Sequence, residues 1–208
     1  MTKKKTIAPK KAVKKTMPAK APALETLPVE FGTAFKYPFN RPVGMLNILW
    51  ILLPIIGWFP LFGYTIRIVK NFVKGDFSQL PLFQFGSDFK LGFFMFLKAI
   101  PFGLAYGVVM KALYYNEVLY MIGALFIGIF ILPMLMINFY VKETIASFFE
   151  VSKINSVFEN LGDYVIALLK SLALGLIFLV MMIILVGIPA NVFTKQIFLA
   201  DFYRRKVN

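Results

Sequence analysis

Four long apolar runs, near residues 44–66, 91–115, 118–141 and 164–193, constrain this chain more than any other feature. Each approaches or exceeds the roughly 20 residues that a helix needs to span a hydrocarbon core. Backbone groups in lipid must be satisfied internally, which a helix does within itself. The composition agrees, with 59% hydrophobic residues and 24 phenylalanines among 208, against roughly 45–50% apolar residues in soluble domains. One membrane domain therefore takes up nearly everything after residue 42.

The first run contains its own interruption. The stretch "LLPIIGWFPLFGYTIRIVKNFVKGD", residues 52–76, carries Pro54, Gly57 and Pro60 in its apolar half. If residues 44–66 crossed once, the basic N-terminus with Lys36 and Arg41 would lie on one side and Arg67, Lys70 and Lys74 on the other. That arrangement violates the positive-inside tendency. A chain that turns back at "PIIGWFP" keeps both charged flanks in the cytoplasm and leaves an uncharged turn. The same reasoning applies after the last run, where a turn at Gly187 and Pro189 returns Arg204, Arg205 and Lys206 to the cytoplasm.

The resulting expectation is an all-α, polytopic helical membrane bundle with proline-broken hairpins. It has about six membrane-embedded helices, four long and two short or tilted, near 43–54, 57–74, 89–114, 117–147, 162–187 and 189–205. Residues 36–208 form this transmembrane domain in the cell membrane, with both termini cytoplasmic. The first helix, about 12 residues at 1.5 Å each, reaches only some 18 Å. It is a half-helix or a tilted one, and its non-helical turn is expected to be buried in protein. Tyr114, Tyr115 and Tyr120 suit an aromatic belt at the outer "YYNE" turn.

Residues 1–35 read as a disordered basic cytoplasmic tail, since Lys, Ala, Pro and Thr bury too little surface to offset ordering entropy. The first 42 residues hold ten Lys or Arg against two Glu. Their distance from the first apolar run argues against a cleaved signal peptide. The tail fits anionic lipid headgroups; nucleic acid is disfavoured because no aromatic is interleaved with the lysines.

Small residues recur at spacing four in Ala99, Gly103 and Gly107, and again in Ala167, Ser171 and Gly175. Such faces let helix backbones approach closely in lipid, within one chain or between copies of a homo-oligomer. Asp88 and Asp163 precede aromatics at two helix starts and suit N-caps. Lys98, Lys170 and Lys195 fall inside predicted spans without a deep carboxylate to pair with, so they are candidate contacts for lipid headgroups or anions. "GYTIRIVKNFVKGD" reads as an amphipathic exit, with Ile66, Val69 and Val73 apart from Arg67, Lys70, Asn71 and Lys74. Residues 142–163 place Ile145, Phe148, Phe149 and Ile154 among charges, as a segment riding the cytoplasmic surface would.

With no cysteine and no histidine, the chain lacks thiol chemistry, the usual zinc sites and the commonest general base. It has no G-x-S-x-G elbow and no phosphate-cradling loop. No cofactor is expected, and the chain reads as non-enzymatic.

The order "YPF" (Tyr37–Phe39), "LLPIIGWFPLFGYTIRIVKNFVKGD", "LPLFQFGSDFKLGF", "ENLGDYVIALL" and "FYRR" resembles a group of bacterial and archaeal multi-pass proteins known only as a domain of unknown function. It is distantly similar to the membrane domain attached to some glycerophosphodiester phosphodiesterases. The resemblance covers about residues 36–205. Relatives usually carry a Trp and an acidic cluster where this chain has "LFQF" (Leu82–Phe85). It implies a helical membrane domain with no established activity and no catalytic residues to transfer. The expected function is a membrane scaffold or subunit that binds lipid or protein partners; the competing expectation is a small transporter or channel using the broken helices and the intramembrane lysines.

Overall fold

The computed structural model describes residues 27–207, and every regular element among them is helical. Helix α1 (Phe31–Lys36) runs into a 3-10 turn at Tyr37–Asn40 and is followed by the short α2 (Pro42–Leu52). Then come α3 (Trp58–Val73), α4 (Phe85–Leu113) and α5 (Glu117–Lys142), the last with a π-type turn at Ile127–Ile131. A 3-10 turn at Ile145–Phe149 leads to α6 (Ser152–Glu159), α7 (Leu161–Ile184), α8 (Gly187–Thr194) and α9 (Ile197–Lys206).

Among the described residues three helices, α4, α5 and α7, are long and apolar enough to cross a membrane. The expected four long helices are therefore three, because α3, with 16 residues, is an interior helix rather than a span. Its Ile66, Val69, Phe72 and Val73 are all buried, and α2, α4, α5 and α9 all pack on it. It ends in a Schellman motif. Gly75 sits at φ +84°, the Asp76 N–H reaches the Asn71 carbonyl at 2.9 Å and the Gly75 N–H reaches that of Phe72 at 2.9 Å.

The hairpins that charge counting requires are present, and they share one construction. At the first tip Ile55 takes a left-handed φ of 64°, at the second Leu185 takes 61°, and each is followed two residues later by a glycine. Both glycines are required by close approach. A Cβ on Gly57 would lie 1.8 Å from the Trp50 carbonyl oxygen, and one on Gly187 would lie 2.0 Å from that of Phe178. Pro60 and Pro189 do not break anything: each is the third residue of the returning helix, where no backbone N–H is needed. Pro54 lies in the turn proper, its carbonyl accepting from the Ile56 N–H at 2.7 Å.

The first tip corrects the expectation of a protein-buried turn, because Leu52–Ile56 are exposed. Local bonds do the satisfying instead. Leu53 N–H reaches Trp50 O (3.1 Å), Gly57 N–H reaches Leu53 O (2.9 Å) and the Trp58 indole reaches Ile51 O (3.1 Å). The tip is also short. Phe59 packs edge-on against Phe89, Phe93 and Phe96, so α3 covers only the first part of α4. The second hairpin returns in two pieces rather than one helix over 189–205, with a break at Lys195 and Gln196.

Other boundaries shift for local reasons. Helix α4 starts at Phe85, so Asp88 lies in its first turn and Gln84 is the cap; α7 starts at Leu161, so Asp163 likewise follows the cap. Helix α5 stops at Lys142 because Glu143 adopts a left-handed φ of 55°. Asn116 caps its start, accepting from the Leu119 N–H at 3.0 Å. Of the surface-riding segment, Ile145 and Phe149 are exposed, whereas Phe148 and Ile154 are buried. Phe148 is drawn in by stacking on Phe102 and Phe139.

The tail boundary at residue 35 also moves. Val29 is buried, its N–H donating to Asp201 at 3.1 Å, while Phe31 stacks on Phe198 and Phe35 on Phe178. Those aromatics supply the buried area that a tail lacks. The disorder expected of residues 1–26 falls outside the described residues. Arg204 donates to the Leu27 carbonyl (3.3 Å) and Lys206 pairs with Asp163 (3.0 Å), which sets both described ends beside the start of α7.

The two small-residue faces have opposite fates. Ala167, Ser171 and Gly175 line the seam of α7 with the returning hairpin, where Gly175 faces the Asn191 side chain. Of the three in α4 only Ala99 touches the core; a Cβ on Gly103 or Gly107 would meet nothing within 4 Å among the described residues. The expectation that Gly103 and Gly107 pack helices within the chain is overturned. The glycines that do so are Gly63 and Gly92. A Cβ there would lie 2.0 Å from the Asp88 carbonyl oxygen and 1.9 Å from that of Phe59, respectively. Gly92→Ala should therefore lower the thermal midpoint in detergent sharply, by the equivalent of about 2 kcal/mol or more. Gly103→Ala and Gly107→Ala should leave it unchanged or raise it, since alanine gains about 1 kcal/mol over glycine inside a helix.

Candidate functional site

The α3–α4 seam is built from opposed spacings. Gly63 stands four residues before Arg67, and Asp88 four before Gly92. In two antiparallel helices those offsets bring glycine to glycine and charge to charge together. The Arg67 guanidinium grips the Asp88 carboxylate at 2.5 and 2.8 Å, donates to the Leu82 carbonyl at 2.7 Å and lies 5.7 Å from the Tyr64 ring centre. The Asp88 carboxylate also accepts the Gln84 N–H at 2.8 Å and is fully buried. Charges sought only inside the long apolar runs miss this pair, because Arg67 stands just after the first run and Asp88 just before the second.

Removing one partner of a buried ion pair strands the other charge. Arg67→Met should therefore cost about 3–5 kcal/mol, and Arg67→Met with Asp88→Leu should cost far less than the sum of the two single changes. Chemical unfolding of the detergent-solubilised protein checks this.

The three lysines singled out by their position in apolar sequence stand apart from one another. Lys98 donates to the Glu143 carbonyl at 2.8 Å, and the Glu143 carboxylate pairs with Lys70. Lys98 thereby holds the end of α5 rather than standing free. Lys170 lies 5.8 Å from the centre of the Phe198 ring. Lys195, at the α8–α9 break, is exposed and makes no hydrogen bond or ion pair with the described residues.

A second polar group stabilises the far side of α5. Buried Asn138 donates to the Ser147 carbonyl (2.7 Å) and the Glu150 carboxylate (3.3 Å), and it accepts from the Tyr203 hydroxyl (2.7 Å). Lys142 also pairs with Glu150. The hydrogen bond from Lys142, then that from Asn138, holds the Glu150 carboxyl below its ordinary range. Its contribution is present above the usual carboxylate pKa and is lost as pH falls through the lowered value. Lys142→Met should raise the pH at which stability declines, seen as thermal midpoints measured between about pH 5 and 3.

Lys195 opens onto a cavity of about 550 Å³ between the two hairpins and α5. Its apolar wall is Ile51, Trp58, Leu61, Phe62, Met136 and Val192. Thr65, Tyr140, Lys195 and Gln196 supply the polar groups, and no carboxylate lines it. The volume falls within the roughly 300–1,000 Å³ of small-molecule sites. The exposed flanks of Ile51 and Trp58 leave the rim apolar. No sequence reading joined Lys195 to this wall, whose residues come from helices far apart in the chain.

A family model described as "Protein of unknown function (DUF4013)" matches residues 46–187, two thirds of the chain. The chain belongs to that family. The match takes in α3, α4, α5 and α7 with the α3–α4 seam and most of the cavity wall, and it stops at Gly187, before Val192, Lys195 and Gln196. No curated protein and no solved structure matches the chain.

Proposed function

We propose that this DUF4013 protein is a non-enzymatic integral membrane scaffold or subunit that holds a membrane lipid in the cavity between its two hairpins. The cavity carries the reading. It joins an apolar wall to one cation, with an apolar rim of the kind an acyl chain crosses without desolvating a polar surface. The exposed apolar faces of α4, α5 and α7, including Leu104, Val108, Leu125, Leu172 and Val180, support residence in a bilayer. The positive-inside tendency sets both termini in the cytoplasm in this reading.

A small transporter or channel is the second reading. The α8–α9 break lies on the cavity wall, and broken helices often surround transported ligands. Purification from native membranes followed by lipid extraction separates the two. The scaffold reading expects a near-stoichiometric lipid that is lost when Val192→Trp fills the cavity, and no saturable solute uptake in liposomes. Saturable uptake would favour the transporter.

A further inference from the structure

We propose that the cavity selects an anionic phospholipid whose headgroup also carries a hydroxyl, with the phosphate on Lys195 and the hydroxyl on Gln196. This rests on the lipid-binding reading of the same cavity and names the chemistry it recognises. Three observations around the cavity carry it. The Lys195 ammonium is the cavity's one charged group, and no carboxylate among the described residues pairs with it. The Gln196 side-chain carbonyl oxygen is buried without a donor. Such an oxygen costs free energy until its side chain turns it towards a donor in the cavity. Across the cavity the Tyr140 hydroxyl has no hydrogen-bond partner among the described residues, while Thr65 donates to the Leu61 carbonyl at 2.9 Å and keeps its acceptor lone pairs.

The unmet requirements are thus an anion for Lys195, a donor for Gln196, and apolar volume for a chain. A zwitterionic choline headgroup brings a second positive charge towards Lys195 and no hydroxyl donor for Gln196. A phosphate esterified to glycerol brings the anion and the donor together, with its acyl chain free to run along Leu61, Phe62, Met136 and Val192. The helix break serves this arrangement. It turns Lys195 and Gln196 out of a continuous helix at the point where the apolar wall ends, so the two recognition groups are adjacent in sequence and reach the cavity together.

The test uses the full chain in detergent, titrated with phosphatidylglycerol, phosphatidylmethanol, phosphatidylcholine or inorganic phosphate and read by native mass spectrometry. Phosphatidylglycerol should bind about tenfold or more tighter than phosphatidylcholine, the size expected when a buried acceptor gains the donor it lacks. Lys195→Gln should weaken phosphatidylglycerol binding and reduce that preference, and Lys195→Arg should keep both, whereas Lys111→Gln, away from the cavity, should change nothing. Gln196→Leu should erase the advantage of phosphatidylglycerol over phosphatidylmethanol, which has the same charge and no headgroup hydroxyl. Unaltered phosphatidylglycerol binding in Lys195→Gln overturns the headgroup assignment. If Val192→Trp still blocks every lipid in that case, the lipid cavity itself survives. If Val192→Trp blocks none, both fall. Inorganic phosphate displacing phosphatidylglycerol at equal concentration would mark a free-anion site and overturn the choice of a lipid.

Discussion

The seam between α3 and α4 is the contact on which the rest of the molecule depends. Two glycines let the backbones approach until a single added carbon would strike a carbonyl oxygen, and Arg67 clamps Asp88 beside them. Close approach without that pair would bury an unmatched charge; the pair without the glycines would hold its partners out of reach. Helix α3 fixed in this way becomes the surface that α2, α5 and α9 share. A helix of 16 residues carrying Arg67 and Lys70 would be a poor membrane span on its own. Enclosed by the other helices, it becomes the centre.

The hairpin tips solve a different problem with the same residue type. A reversal in an apolar setting must satisfy its own backbone groups. Both tips do so with tight local bonds, a left-handed aliphatic residue and a glycine against a carbonyl. Ile55 and Leu185 in that conformation cost of order 1–3 kcal/mol each, which the packed helices behind them offset. Between the hairpins is the cavity. Its wall needs both returns, because the first supplies Trp58, Leu61 and Phe62 and the second Val192, Lys195 and Gln196.

Lys98 and Lys195 illustrate how sequence position misleads about role. Both read as unpaired charges in apolar sequence, yet Lys98 serves a carbonyl at the end of α5 and Lys195 faces the cavity between the hairpins. Gly103 and Gly107 show the same limit. Spacing four places them on one helical face but does not say whether another helix covers it, and among the described residues none does.

What the sequence by itself determined is the helical membrane architecture and the two reversals. Hydropathy, helix length and the sign of flanking charge act along the chain and need no knowledge of neighbours. It also marked Ala167, Ser171 and Gly175 as a packing face. Tertiary structure alone decided that α3 is interior, that Gly63 meets Gly92, that residues 29–35 belong to the folded body, and which lysine lines the cavity. These are outcomes of pairing between distant segments. Each depends on the distance between two surfaces, which periodicity within either segment does not contain.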